Sequence, residues 1–379
     1  MEETANQKKI VNILPLKKGR RVLLFLADFF LNFILAFILF FLASFPIGKA
    51  ITGYNIKNNL YTENLSNRGQ VLLRNEILIQ CPDYEDYDIS SNVNFTSDCF
   101  LSYYALDEES PTNVKYSQFG HKTINQVFHK YFLTILGDEA KFISLFDHYN
   151  AKYAYFDRND TDISLKAEIK EQVAPHFYKN ETVSFLGKRY VSNIKNSLYY
   201  PMYSEIMDSI KKNDLTFGDY SYNELQRDIK GFETYIYNLV QYTSIITGVI
   251  STALLYVLIP LINKSHKTIG MMILKIERVN LKSLNYIKKG EVILNAVYQL
   301  FYIFIICFFI PMTSLSFVEM FKIQLLFILG IFSILMMMAN LIYLLFDKFN
   351  RSMFDRLLQM VHLTTSELDD VYRARGYYL

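Results

Sequence analysis

The residues of this chain best suited to chemistry are polar side chains within a long apolar run. Asp28 lies about one and a half turns into the run Val22–Phe45, and a carboxylate at the centre of a bilayer costs about 2.5–3.5 kcal/mol. Arg21 precedes it by seven residues and Asn32 follows it by four, so all three share one face of a helix. We expect this polar stripe to face other helices; the alternative is that Asp28 lies hydrated near the lipid headgroups.

A second charged group follows the last apolar run. Asp355 has Arg351 four residues before it and Arg356 directly after it. Opposite charges four residues apart on a helix can pair, so we expect an ion pair between Asp355 and Arg351. The alternative is a long-range pair between Asp355 and Arg21. Neither pair has the geometry of an enzyme active site.

The sequence lacks the common patterns of catalysis and metal binding. It contains no H-E-x-x-H or Cys/His zinc spacing, no G-x-S-x-G motif and no glycine-rich phosphate loop. We therefore expect a protein that is not an enzyme and needs no cofactor or metal. Cys81 and Cys99 could close a disulfide worth about 3 kcal/mol, or they could remain two unpaired thiols. Cys307 lies in an apolar run, which favours a packing role.

Four apolar runs of 21 to 28 residues must position these groups. A helix rises about 1.5 Å per residue and a bilayer core is about 30 Å thick, so each run can cross a membrane. The first run is also too long for a cleaved signal peptide. The pattern predicts an α-helical membrane bundle of four transmembrane helices: 22–45, 235–262, 292–312 and 323–346.

Segment 46–234, between the first and second runs, is polar and long enough to fold as an α+β domain of its own. Ser221 followed by Glu224 predicts the start of a helix that continues through Gly231 into the second run. Periodicity predicts further elements in this domain. These are helices over Lys122–Leu136 and Asp138–Tyr149, a strand over Lys152–Phe156, and a hairpin of Thr182–Phe185 with Arg189–Ile194.

The basic residues beside the runs predict the orientation. Six Lys or Arg lie in 1–21, and seven lie between Lys264 and Gly290 within 263–291. At the start of the tail 347–379, Lys348, Arg351 and Arg356 follow the last run. The connection 313–322 has one charge of each sign. We therefore expect both termini in the cytoplasm and 46–234 outside. A composition rich in Lys, Asn, Ile, Tyr and Phe, without Trp, is typical of an AT-rich bacterial genome, which favours the bacterial cell membrane.

Two cytoplasmic segments predict further helices. Lys267–Ile287 alternates basic and apolar residues, and predicts an amphipathic helix at the membrane surface whose partner is anionic lipid. Thr364 and Glu367 form a capping-box pattern, which predicts a short helix in the tail. The net charge of +2 argues against a nucleic-acid partner.

Three segments resemble, in the right order, the motifs of the RDD family of bacterial membrane proteins, named for one Arg and two Asp. RRVLLFLAD at Arg20–Asp28 resembles the opening motif. KTIGMMILKIERVN at Lys267–Asn280 resembles the cytoplasmic loop with its Thr-x-Gly, and here includes Gly270. NRSMFDRLLQMVHL at Asn350–Leu363 resembles the closing motif, with Asp355 as the second Asp.

The chain also departs from this family. Gly270 is followed by Met271 where a Lys is common, and the large insert is foreign to compact members. Some members are suggested to be transporters or ion exchangers. The resemblance therefore implies transport of a small ion or solute, or assistance to a transporter.

Two other functions fit the layout. One span, a large exterior domain and three further spans are also the arrangement of permease subunits of the FtsX or MacB type. The chain has no nucleotide-binding motif, so this function would require a separate ATPase as partner. The other alternative is an extracytoplasmic binding or scaffold protein.

Overall fold

A computed structural model describes residues 16–75, 77–106, 139–159, 162–179, 181–309 and 324–374, and the structural statements below concern these residues. The chain forms two compact units. We call Ile56–Phe232 the insert unit, and Met1–Asn55 together with Glu233–Leu379 the bundle unit.

The apolar runs form helices, as predicted. Four helical stretches are long and apolar enough to cross a membrane, which supports a multi-pass membrane protein. They are Lys18–Ile51, Tyr222–Ile262, Lys289–Cys307 and Phe327–Phe346.

The first stretch contains α1 (Lys18–Leu39), a π-helical turn (Phe40–Ser44) and α2 (Phe45–Ile51). A similar turn (Leu254–Leu258) lies in the second stretch directly before Pro260. Proline lacks the N–H that an α-helix would use at that point, and the wider turn absorbs this defect without ending the helix. Both stretches therefore remain continuous across their prolines.

Helices dominate the insert unit. They are α3 (Tyr54–Arg74), α4 (Ile89–Ala105), α5 (Glu139–Asn150), α6 (Ala167–Val173), α7 (Phe185–Ile194) and α8 (Tyr200–Asn213). Strands β1 (Phe156–Asn159) and β2 (Asp162–Leu165) form one antiparallel pair, and β3 (Thr216–Phe217) and β4 (Tyr220–Ser221) form another. Fully buried aromatic side chains, including Phe146, Phe177 and Tyr199, fill its core. Burial of such large rings is the main source of stability for a unit of this size.

The predicted hairpin of Thr182–Phe185 and Arg189–Ile194 is wrong, because this segment forms helix α7. The Ser184 side chain accepts a hydrogen bond from the backbone N–H of Gly187 and so caps the helix. Gly187, Val191 and Ile194 are buried at helical spacing. Gly187 is required because a Cβ there would collide with the Gln172 carbonyl. The glycine interpreted as a turn is thus a close contact between helices.

The other predictions for the insert have mixed outcomes. Helix α5 confirms the helix predicted over Asp138–Tyr149, whereas Lys122–Leu136 lies outside the described residues. The strand predicted over Lys152–Phe156 is wrong, since β1 begins only at Phe156. Turn geometry at the preceding residues, with Ala154 at φ 49°, keeps them out of the strand.

The two cysteines of the insert unit are free and buried, which corresponds to the unpaired alternative and not to the disulfide. Cys81 and Cys99 pack with Ile79 and Phe95 in a small apolar cluster. Burial raises the pKa of the Cys99 thiol to about 12, so this side chain stays protonated. Both residues act here as apolar packing groups.

The second membrane-length stretch begins with α9 (Tyr222–Ala253), which is continuous through Gly231. The backbone N–H of Glu224 donates to the Ser221 hydroxyl, so the predicted cap is confirmed. After the π-helical turn, α10 (Ile259–Ile262) completes the stretch. The third and fourth stretches lie in α12 (Lys289–Phe309) and α13 (Gln324–Phe346).

The predicted amphipathic helix over Lys267–Ile287 is wrong. Only α11 (Ile269–Leu274) is helical there; Lys275 takes a left-handed conformation and ends it. Strand β5 (Ile276–Asn280) follows and pairs antiparallel with β6 (Met360–Thr364). Because the side chains of β5 are largely buried, this segment is not the membrane-surface helix expected. The anionic-lipid partner stays a prediction.

The tail contains α14 (Met353–Leu357), β6 and α15 (Thr365–Ala374). The capping box that predicted α15 is confirmed in both directions. The Thr364 backbone N–H donates to the Glu367 carboxylate, and the Glu367 backbone N–H donates to the Thr364 hydroxyl. We call the β5–β6 pair with its flanking helices the closing ribbon, because it joins the segment after the second span to the segment after the fourth.

Candidate functional site

The motif residues of the three separate segments meet around one small cavity in the bundle unit. Arg21, Asp28 and Asp355 all line it, and Gly270 contacts Asp28 beside it. Its volume of about 30 Å³ is enough for one or two water molecules. We call it the polar cavity. Other polar residues that line it are Tyr256, Thr268, Arg278, Asn295, Tyr298, Gln299, Asn340, Ser352 and His362.

Asp28 is held by the loop that follows the second span. Its Oδ2 accepts a hydrogen bond from the Thr268 hydroxyl at 2.7 Å, and its Oδ1 accepts one from the Gly270 backbone N–H at 2.9 Å. Thr268 also caps α11 by accepting from the Met271 N–H. A Cβ on Gly270 would lie 2.9 Å from the Asp28 Cγ, so only glycine admits the carboxylate this closely. In the Thr-x-Gly motif, Thr268 thus supplies a hydroxyl donor, and Gly270 leaves room for the Asp28 carboxylate.

The polar stripe of α1 faces protein over its whole length. Arg21 and Asn32 are buried, and the Asn32 amide donates to the Thr252 hydroxyl on α9 at 3.0 Å. This hydrogen bond joins the polar stripe of α1 to the second span. One turn earlier on α9, a Cβ on Gly248 would collide with Ile303 on α12, so this small residue allows close packing of the second and third spans.

The expected pair between Asp355 and Arg351 is wrong. Arg21 donates to the Asp355 carboxylate at 2.5 Å, and both side chains are almost completely buried. Asp355 is the third residue of α14, and its carboxylate also accepts from the backbone N–H of Ser352, the N-cap. Arg351 precedes this cap, so it is not on the same helix; it pairs instead with Asp347 at 3.0 Å.

Arg21 determines the charge state of Asp355. Burial alone would raise the pKa of this carboxyl, but the adjacent guanidinium and the hydrogen bond from Ser352 lower it well below its ordinary value. Asp355 is therefore ionised over the whole physiological range. A buried pair of this kind is strongly destabilised when only one partner is removed.

Two residues of the site, Arg278 and His362, were missed by the sequence analysis. They are directly opposite each other in the β5–β6 register and share one face of the closing ribbon. Both are almost completely buried and line the polar cavity. The available signal was a titratable residue flanked by aliphatic residues typical of strands, in I-E-R-V and V-H-L. Basic residues in a cytoplasmic loop were interpreted instead as a lipid contact.

The charge states of these two residues differ. Burial, together with the nearby Arg21 cation, lowers the pKa of His362 well below its ordinary value, so the imidazole is neutral. Burial lowers the pKa of Arg278 to about 10, which leaves the guanidinium charged at neutral pH. The polar cavity is therefore bordered by two guanidinium groups, two carboxyl groups and the neutral imidazole of His362.

The insert unit has a larger but more open pocket of about 410 Å³. Its buried carboxylate, Asp98, is already paired with Lys195 at 2.5 Å. Lys195 and the His176 imidazole keep the pKa of Asp98 below its ordinary value despite its burial. We therefore regard the polar cavity as the better candidate site.

The polar cavity combines charged and hydrogen-bonding side chains with room for one or two water molecules. Within the described part of the chain, no group of three or more His, Cys, Asp or Glu is arranged to hold a metal ion. In comparisons with known proteins, no family model, curated protein or solved structure matches the chain. The functional argument accordingly rests on the geometry of the cavity.

Proposed function

We propose that the chain is a multi-pass bacterial cell-membrane protein of the RDD type that moves a small ion across the bilayer. In this proposal both termini are cytoplasmic and the insert unit is extracytoplasmic, in accord with the basic residues beside the spans. Asp28 is the group that binds and releases the ion. The convergence of Arg21, Asp28 and Asp355 on one cavity supports the resemblance to that family.

The observation that carries this proposal is the position of Asp28. A carboxylate within an apolar helix is costly, and such residues usually mark ion or proton pathways. Asp28 has only two hydrogen-bond donors, Thr268 and Gly270, and borders a cavity that admits water. It has no ion-pair partner within 4.0 Å among the described residues, whereas Asp355 is held by Arg21. A carboxyl group so placed can gain and lose a cation without breaking an ion pair.

The test is ion flux in proteoliposomes with Asp28→Asn. Asparagine has the same shape and can keep both neighbours, because its amide oxygen accepts from Gly270 and the Thr268 hydroxyl can turn to accept from its NH₂. We expect the variant to fold normally and to lose about 90% of the flux, a tenfold change equivalent to about 1.4 kcal/mol. Flux is measured with interior pH-sensitive and Na⁺-sensitive dyes under an imposed gradient.

The matched control is Asp347→Asn, which removes a carboxylate near the same end of the bundle but outside the polar cavity. We expect flux close to that of the wild type for this control. Normal expression and unchanged flux in Asp28→Asn would refute the transport proposal. Equal loss in both variants would also refute it, since the effect would then be on folding.

One observation favours the second candidate, a permease subunit driven by a separate ATPase. Helix α9 (Tyr222–Ala253) has no break between its capped start and the second span, which is the kind of stalk helix that such a subunit would use. Affinity purification of the full chain from mild detergent tests this function. A stoichiometric ATPase in the eluate supports it, and its absence after crosslinking in intact cells counts against it.

A further inference from the structure

Arg278 is a buried cation without a partner. Its side chain is almost completely buried, yet its Nε and Nη2 atoms have no hydrogen-bond acceptor. No carboxylate of the described residues lies within 4.0 Å of the guanidinium, by contrast with the Arg21–Asp355 pair. An uncompensated buried charge costs several kcal/mol, so a native structure is expected to supply a ligand or ion at such a group.

The two free nitrogens lie on the same edge of the guanidinium. Nε–H and the neighbouring Nη2–H point in the same direction and form the fork with which arginine binds anions. A third buried donor, the Nε of Arg21, also lacks an acceptor. Both arginines line the polar cavity. The cavity is thus bordered by three unused N–H donors, which is the composition of an anion site.

Each of the two carboxylates that line the cavity already accepts two hydrogen bonds. Asp355 accepts from Arg21 and from the Ser352 N–H, and Asp28 accepts from the Thr268 hydroxyl and the Gly270 N–H. The titratable and charged groups that face the cavity from all elements packed around it are Arg21, Asp28, Tyr256, Arg278, Tyr298, Asp355 and His362. Their formal charges sum to zero when both carboxyl groups are ionised, and to +1 when Asp28 is neutral.

We propose that the polar cavity binds one small monovalent anion of the size of chloride, held by the free edge of Arg278, and that neutralisation of Asp28 strengthens this binding. A volume of about 30 Å³ admits a monatomic anion in place of one or two waters, but not phosphate or an organic acid. The inference goes beyond transport, since binding at Arg278 does not require that the chain move an ion. In this inference, binding of the anion at Arg278 and binding of the cation at Asp28 each change the affinity of the cavity for the other ion.

The experiment is a binding titration of the purified full chain in lipid nanodiscs. Chloride replaces gluconate at constant ionic strength, and ³⁵Cl NMR line broadening and the unfolding temperature are recorded. Gluconate is too large for the cavity, so it controls for general salt effects. We expect saturable chloride broadening and a rise in unfolding temperature in the wild type.

Variants identify the site. Arg278→Gln should abolish the saturable signal, whereas Arg356→Gln, which removes an exposed guanidinium outside the cavity, should retain it. Asp28→Asn should bind chloride about tenfold more tightly, within the range of ordinary coupling between sites. Should Arg278→Gln fail to fold, the Asp28→Asn titration alone still decides.

Several results would overturn the inference: no saturable chloride signal in the wild type, unchanged binding in Arg278→Gln, or equal or weaker binding in Asp28→Asn. The outcomes separate the two proposals, because Asp28→Asn should lose flux yet gain chloride affinity. Lost flux with unchanged chloride affinity would overturn the anion site and leave the transport proposal intact.

Discussion

Removal of the charge of Asp355 is the sharpest test of the buried ion pair. The side chains of Arg21 and Asp355 are only 8% and 3% exposed, so neither charge can be rehydrated without opening the bundle. In Asp355→Asn the amide oxygen can still accept from the Ser352 N–H, and the cap of α14 survives. The variant therefore mainly leaves the Arg21 guanidinium buried and unpaired. We expect a loss of about 3–5 kcal/mol in the free energy of unfolding.

A double-mutant cycle with Arg21→Met isolates the pair. Once both charges are gone, no unpaired charge remains, so the double variant should be more stable than the sum of the two single losses by about 2 kcal/mol. Reversible unfolding in mixed micelles with increasing dodecyl sulfate, followed by far-UV circular dichroism, gives the four free energies. Asp208→Asn is the control: it removes one partner of the exposed Asp208–Lys211 ion pair and should change the free energy of unfolding little.

Additive losses in this cycle would refute the reasoning. If the double variant lost as much as the two single variants together, the Arg21–Asp355 contact would have no energetic coupling. The two residues would then stabilise the bundle through separate interactions. A loss below about 1 kcal/mol in Asp355→Asn would likewise contradict the burial of the pair.

Three further predictions follow from individual residues. Burial lowers the folded-state pKa of His362, so below about pH 6.5 only the unfolded chain takes up a proton there. As the pH falls through this range, the free energy of unfolding should decrease by up to about 1.4 kcal/mol per pH unit. His362→Gln should remove this dependence in unfolding titrations between pH 5 and 7. Gly270→Ala should displace Asp28 and cost about 1–3 kcal/mol, whereas Gly290→Ala, with open space around it, should cost little by the same assay. Cys99 should resist maleimide in the folded protein and react after unfolding, as mass spectrometry can show; rapid labelling of the folded protein would contradict its burial.

The parts of the fold that were predicted correctly depend on local sequence. Apolar runs longer than 20 residues have few alternatives to membrane-length helices, and the Thr364–Glu367 cap is defined by residues three apart. The predictions that failed required knowledge of distant partners. Asp355 was assigned to Arg351 because that residue is close in sequence, whereas its partner, Arg21, is 334 residues away. Asp355 thus forms a buried ion pair with a distant residue instead of the local pair that the spacing predicts.

The residues of the candidate site likewise include some that local sequence identifies and others that it does not. Asp28 was identified because a charge within an apolar run is conspicuous by itself. Arg278 was not, because a basic residue in a basic loop resembles an ordinary solvent-exposed side chain. Only its pairing with His362 in the β5–β6 register brings it into the bundle. The strand was hidden because Ile269–Leu274 begins a helix, and one left-handed residue, Lys275, changes the direction of the chain.

The closing ribbon explains how three separate segments of the chain meet at one cavity. Strand β5 follows the second span and carries Arg278, while β6 follows the fourth span and carries His362. The backbone N–H of Leu16, just before α1, donates to the His362 carbonyl at 3.1 Å, which fixes the start of the helix that contains Arg21 and Asp28. The cavity is therefore complete only when the first, second and fourth spans are joined through the ribbon. Because ions at Asp28 or Arg278 would contact groups from all three, their binding energy must depend on how these spans are arranged.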